Sequence, residues 1–405
     1  MKDKPQGIRL GRMLTLDAMR GAAALVVVTY HALAVAPQTA LGGWQWWLPQ
    51  VIARIVHFGY AGIYLFFVIS GFCIHLYWAR ARAAGVETPA IDFSRFWKRR
   101  VRRLYPPYLA ALAVYLCYVA YQTPVKVTGF YLWDVGLHLF MLHNLDARTT
   151  YTINGAFWTL AVEEQLYLAY FLLLFLRIRC GWARTLLLCA AARVGWLIMS
   201  RCLGEFFGLS IPVTEAAASS WLIWAFGALS VEAALGVIRL PPWCYRISLA
   251  CVALLCAMGL AQVLPLVDQM TWIHDVGWLV MHPAWGVGFF ILVNKSVAAE
   301  KRWRLISSHS PRLVTALASI GLISYSLYLI HLLVLMHWYW FGFTRLHIRS
   351  ISLLILTPLS VAFGWLFFRL CERPFMTFTG AVSVPARPGN VTVDEDQIGP
   401  ELSLS

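Results

Sequence analysis

Residues 14–36, LTLDAMRGAAALVVVTYHALAVA, restrict the fold more than any other stretch. They form a largely apolar run of about 23 residues, long enough to cross a bilayer as one helix. Within it lie Asp17, Arg20 and His31, which a plain anchor would not contain. At about 100° per residue, the eleven positions from Arg20 to His31 make three turns plus roughly 20°, so both fall on one stripe, and Asp17 lies within roughly 60° of Arg20. Ionisable groups at membrane depth face a protein interior or a watery cavity, so the stripe reads as the wall of a site. A signal peptide is the simpler alternative, since basic residues precede the run and Ala34-Val35-Ala36 resembles a cleavage site. Asp17 and Arg20 interrupt the apolar region, and many further apolar runs follow, so a retained span is the better reading.

Composition excludes a soluble globular protein, with 60% hydrophobic and only 13% charged residues. The net charge of +14 is concentrated in alternate loops. That is the positive-inside signature of a polytopic membrane protein, and no nucleic-acid partner is expected. Tryptophans such as Trp44, Trp46 and Trp47 fit an aromatic belt at the headgroup layer. The nine cysteines sit mainly in apolar stretches without CxxC or His-Cys spacing, so neither a disulfide framework nor a metal site is expected.

The chain reads as an all-α polytopic membrane protein of about ten transmembrane helices, with both termini cytoplasmic. The second span covers about Val51 to Trp78 and contains FFVISGF, whose Ser70-Gly71 pair suits close helix packing. The most basic segment, Arg80 to Arg103, is placed in the cytoplasm. A third span, Tyr105 to Tyr121, is expected to start at Pro106 and Pro107, and a polar loop covers 122–155. The fourth span, from Gly155, holds Glu163 and Glu164, and Arg177, Arg179 and Arg184 return the chain inside. Further spans fall near 185–203, 218–238, 246–265, 276–294, 313–341 and 351–371. Three parts follow: a cytoplasmic amino-terminal segment (1–13), a membrane domain (14–376) and a disordered, acidic, Pro-containing tail (377–405).

Rise per residue places His31 about 25 Å from the inner end of its helix, Glu163 about 12 Å below the outer face, with Glu164 slightly deeper. His331 falls in the same outer half. Three helices thus carry His31, Glu163 or Glu164, and His331 to similar depths. Blander readings are that His331 is an interhelical hydrogen-bonder, that the glutamates pair with an arginine such as Arg193, and that the Arg99–Arg103 cluster only sets topology.

At these residues the sequence resembles acyltransferase family 3, the integral-membrane O-acyltransferases that modify glycans. The marks are LDAMRG with His31 (an Arg-x10-His pair), FFVISGF at 66–72, RRVRRLYP at 99–106, FWTLAVEEQLYL at 157–168, SYSLYLIH at 324–331 and ERPF at 372–375. Ala18, Leu104, Thr159 and Leu166 depart mildly from the family pattern and leave its ionisable positions untouched. Many larger relatives carry an extracytoplasmic esterase-like domain, which this sequence lacks, so acceptor binding is expected from the membrane domain and its outer loops.

The resemblance implies transfer of an acyl group, most often acetyl, from cytoplasmic acetyl-CoA or another acyl-CoA to a sugar hydroxyl across the membrane. The acceptor would be a glycan or lipid-linked saccharide, the setting a bacterial inner membrane, with a homo-oligomer or an envelope-glycan assembly partner as further expectations. Arg100 and Arg103 would grip the donor phosphates, with Lys98 and Arg99 adding steering. A sugar hydroxyl needs a base near neutral pKa, and His31 fills that role, with Glu163, or Glu164, orienting it. Arg20 would stabilise the oxyanion or hold the donor arm, while Asp17, Ser70, Tyr325 and His331 would line the pocket. Direct transfer and a covalent acyl-enzyme both stay open. A proton-coupled transporter of a small solute is the main alternative, and a structural partner of envelope enzymes a second; neither consumes an acyl thioester.

Overall fold

The polar stripe of the first apolar run is accommodated by packing its helix against several others. In a computed structural model, which describes residues 13–35, 55–122, 127–267, 272–306, 310–341 and 352–376, that helix is α1 (Leu14–Val35). It is followed by α2 (Gly62–Ala83), α3 (Phe93–Gln122), α4 (Gly129–Leu139), α5 (Trp158–Phe207), α6 (Ala217–Ala234), α7 (Ile247–Val263), α8 (Trp272–Ile306), α9 (Arg312–Leu322), α10 (Ser324–Phe341) and α11 (Ser352–Phe367). Among the described residues there is no strand. α1 packs against α2, α8, α9, α10 and α11. The expected amino-terminal segment before residue 13, the Trp44–Trp47 belt and the tail from 377 lie outside the described residues.

Seven helices among the described residues are long and apolar enough to cross a membrane, or up to eight when α9 and α10, bent by 71° at Ile323, are taken as one broken span. α5 joins two of the spans expected from sequence. Its 50 residues would reach about 75 Å as a straight rod, more than twice the hydrocarbon layer. Gly181, at φ +73° and ψ 171°, breaks it between Arg179 and Arg184, a backbone state that glycine adopts without steric penalty.

Two expectations about the connections are corrected. The basic segment is not a loop up to Arg103: α3 begins at Phe93, so Pro106 and Pro107 lie inside the helix rather than at its start. Phe96 anchors this extension, its buried ring resting against Tyr170 and Phe171 of α5. The stretch 122–155 is not only loop either. Thr128 caps α4 by accepting the Tyr131 N–H at 3.1 Å, and His138 of α4 stacks on His143 with centroids 3.9 Å apart.

Close backbone approaches and buried carboxylates hold the helices together. The Ser70-Gly71 expectation is met: a Cβ at Gly71 would lie 2.0 Å from the Trp224 carbonyl oxygen, and one at Gly227 1.9 Å from that of Val68, so α2 and α6 touch through glycine. Gly21 and Gly321 do the same for α1 and α9. Glu300 of α8 accepts the N–H groups of Leu14 (3.0 Å) and Thr15 (2.8 Å). This satisfies donors that a helix start leaves without intrahelical partners and complements its positive end. On α6, Glu232 accepts from His75 (3.0 Å), bidentately from Arg177 and from Trp182 (2.9 Å), tying α2, α5 and α6 together.

Gly71→Val should lower stability by about 3 kcal/mol or more, because the added side chain meets backbone and cannot be accommodated by a rotamer change. Gly195→Ala, in α5 with nothing within 4 Å of the new Cβ, should be neutral or slightly stabilising. Thermal unfolding of both variants in detergent checks the contrast.

Candidate active site

A pocket opens where α1, α2, α3, α5, α9 and α10 converge. α2 supplies Ile63, Phe66, Phe67 and Ser70, a spacing that places all four on one helical face. α5 supplies Thr159, Leu160 and Glu163; α10 supplies Ser324, Tyr325 and Tyr328. Arg20, Arg103 and Glu372 bring charge to the lining. Apolar walls with a few convergent polar groups are the usual form of a small-molecule site.

Several of these polar groups are held by a partner from another element. Glu163 Oε1 accepts from the Ser70 hydroxyl and from the Tyr167 hydroxyl, both at 2.6 Å, and Trp224 Nε1–H donates to Ser70 Oγ at 3.2 Å. Arg20 is buried, with Nη1 3.5 Å from Asp17 Oδ1 and Nη2 3.3 Å from Cys73 Sγ. Tyr325 donates to the Leu104 carbonyl at 2.8 Å, and Thr159 donates to the Tyr328 hydroxyl at 2.7 Å, which donates to the Ala156 carbonyl. Glu372 lies in a π-helical turn, Phe368–Glu372, that ends α11, an irregularity found often at functional sites. Its Oε2 accepts from Ser326, while Oε1, buried at the pocket wall, has no hydrogen-bond partner.

One turn beyond Tyr328, outside the pocket lining, His331 is fully buried. Its Nδ1 lies 2.7 Å from the Tyr328 carbonyl oxygen and its Nε2 3.1 Å from His31 Nδ1. His31 is half-buried. The stripe on α1 thus runs from Arg20 in the pocket to the histidine pair, about 16 Å along the helix.

The expected residues divide accordingly. Glu163, Arg20, Ser70, Tyr325 and Arg103 line the pocket, with Asp17 behind Arg20. His31 and His331 meet each other as their shared depth suggested. Glu163, expected to orient His31, instead bonds Ser70 and Tyr167, since it leaves α5 on the face toward α2. Glu164 points elsewhere, with both oxygens buried and unbonded. Neither glutamate pairs with Arg193, whose guanidinium donates to the Ser219 and Trp278 carbonyls and lies 3.9 Å from the centroid of the Trp278 ring. Arg100 rests over Phe96 at 5.0 Å, Lys98 is exposed, and neither these two nor Arg99 reaches the pocket lining. Glu372 and Tyr328 went unassigned although both stand in quoted motifs; a carboxylate closing an apolar span was the available signal. Among the described residues no cluster of three or more ligating side chains could hold a metal ion.

Comparison with known proteins agrees with the motifs. The family model of the acyltransferase domain, acyltransferase family 3, matches residues 13–369. The chain belongs to that family. O-acetyltransferase OatA of Staphylococcus aureus is 28% identical over 163 residues, 38% of this chain and 23% of that protein. Protein 2 in picA locus of Rhizobium radiobacter is 30% identical over 165 residues, 38% of this chain and 76% of that protein. Peptidoglycan O-acetyltransferase OatA of Listeria monocytogenes is 25% identical over 180 residues, 40% of this chain and 24% of that protein. The chain therefore matches about a quarter of the length of the two OatA proteins. No solved structure matches it.

Ser70→Ala and Tyr167→Phe each remove one donor from the same carboxylate oxygen, and each should lower stability by about 1.5–3 kcal/mol. Their effects should not add, because the two bonds share Glu163. A double-mutant cycle by denaturation in detergent would show no coupling if the two hydroxyls did not meet there.

Proposed function

We propose that this protein is a membrane O-acyltransferase that moves an acyl group, acetyl by analogy with the OatA relatives, from an acyl-CoA to a hydroxyl of a glycan. The observation that supports this best is continuity: one cavity links cationic side chains, Arg103 and Arg20, to Tyr328, and the imidazole pair follows one turn later. A coenzyme A thioester has the matching form, a polyanionic head on a long arm that ends in the reactive group.

Arg103 binds phosphate at the cytoplasmic mouth, with Arg99, Arg100 and Lys98 on the adjoining turns of α3 supplying field rather than contact. The thioester lies toward Tyr328. His31 takes the proton of the acceptor hydroxyl as its oxygen bonds to the thioester carbon. The C–S bond then breaks, and the departing thiolate collects that proton from His31, leaving an ester and a free thiol. Arg20 or the hydroxyl of Tyr328 stabilises the carbonyl oxygen as it gains charge. Glu163, held by Ser70 and Tyr167, shapes the wall between donor arm and reacting centre. An acceptor glycan reaches His31 from the outer face, which fits a bacterial inner-membrane enzyme acting on cell-surface polysaccharide.

Purified protein in detergent, assayed for thiol release from acetyl-CoA with a crude envelope-glycan extract, should show acceptor-dependent release that His31→Ala abolishes. Arg103→Ala should raise the donor concentration for half-maximal rate by about tenfold or more with a smaller change in maximal rate, as expected when binding shared by ground and transition states is lost. Release that persists in His31→Ala would refute the assignment of the base.

A further inference from the structure

We infer that His331 is the positioning residue of His31, fixing which ring nitrogen acts as the base. This deepens the reading of His31 as the base and rests on it.

The assignment follows from counting donors and acceptors. His331 is fully buried, and its Nδ1 faces the Tyr328 carbonyl oxygen at 2.7 Å. A carbonyl only accepts, so Nδ1 carries the hydrogen, and in the neutral ring Nε2 must then be an acceptor. Nε2 faces His31 Nδ1 at 3.1 Å, so that nitrogen is the donor. The remaining nitrogen of His31, Nε2, keeps its lone pair, and His31 is the more exposed ring of the two. Carbonyl, imidazole and imidazole thus form a one-way chain that presents His31 Nε2 to the acceptor hydroxyl. An ionised partner is not required to select this tautomer, because the carbonyl that starts the chain belongs to the backbone of α10.

The same chain handles the proton. When His31 Nε2 takes the hydroxyl proton, the imidazolium holds hydrogens on both nitrogens, and its Nδ1–H points at the lone pair of His331 Nε2. The second hydrogen can move toward His331, which then carries the charge while still donating to the Tyr328 carbonyl. No atom is gained or lost, and the charge spreads over two rings. Surrounding groups hold His331 rigidly enough for this. Leu333 N–H donates to the Tyr115 hydroxyl at 2.7 Å, and Asn154 reaches the Leu329 carbonyl at 3.4 Å, so the turn of α10 that carries His331 is pinned by α3 and by the segment before α5.

The test compares His331→Leu and His331→Gln with His31→Ala, each purified as the full chain, checked for thermal stability and donor binding, and assayed by acetyl-CoA titration at saturating glycan extract. His331→Leu removes the acceptor for His31 Nδ1–H and should lower kcat about 100-fold or more, with the donor KM changed less than about threefold. His331→Gln places an amide oxygen near the former Nε2 and should recover at least about tenfold of that loss. A His331→Leu enzyme with wild-type kcat, or equal kcat in the Leu and Gln variants with donor binding intact, overturns the inference. If the Leu variant does not fold, Gln decides alone: kcat within about tenfold of wild type supports the inference, and a rate as low as that of His31→Ala overturns it. Activity retained in His31→Ala instead overturns the underlying reading of the base, a separate outcome.

Discussion

A polar group surrounded by hydrocarbon has no water to fall back on, and the structure is arranged around meeting that constraint. α1 carries the worst offenders and packs against five other helices. Asp17 answers Arg20, Arg20 answers Cys73, Thr15 and the start of the helix answer Glu300, and His31 answers His331. Cys73, Glu300 and His331 come from three other helices, so satisfying one helix fixes the positions of several. Where the pairing stops is where chemistry can start: Glu372 keeps one buried oxygen without a partner at the pocket wall.

Glycine contacts make this possible. Backbones that touch at Gly71 with Trp224 and at Gly21 with Leu317 bring α2 to α6 and α1 to α9 closely enough for short side chains to meet. Ser70 reaches Trp224 for that reason. Replacing the packing there would displace one wall of the cavity as well as loosening the bundle.

Much of this was legible in the sequence because intramembrane charge is rare and helical spacing is regular. The Arg20–His31 stripe and the shared depth of His31 and His331 follow from rise and angle alone. What periodicity does not carry is the rotation of one helix about its axis relative to another. Glu163 and Glu164 differ by about 100°, and only the packing of α5 shows that the first turns to Ser70 and neither meets His31. The same lack hid the His75–Glu232–Arg177 network, whose members sit in three apolar runs far apart in sequence. The helical extension of α3 through the basic segment was obscured by Pro106 and Pro107, which signal a helix start when flanking residues are charged.

Family membership makes this chain a membrane O-acyltransferase, and the proposal to test is that the cavity and the imidazole pair serve transfer between the two faces of the membrane. The most direct measurement uses protein reconstituted in vesicles of known orientation, with labelled acetyl-CoA confined to the face of the Arg99–Arg103 cluster and glycan to the opposite face. Labelled ester on the glycan, absent with His31→Ala and absent when the donor is supplied only on the glycan side, is the expected result. Labelling that is equal from either side, or undiminished in His31→Ala, would contradict the proposed donor path from Arg103 through the cavity toward His31.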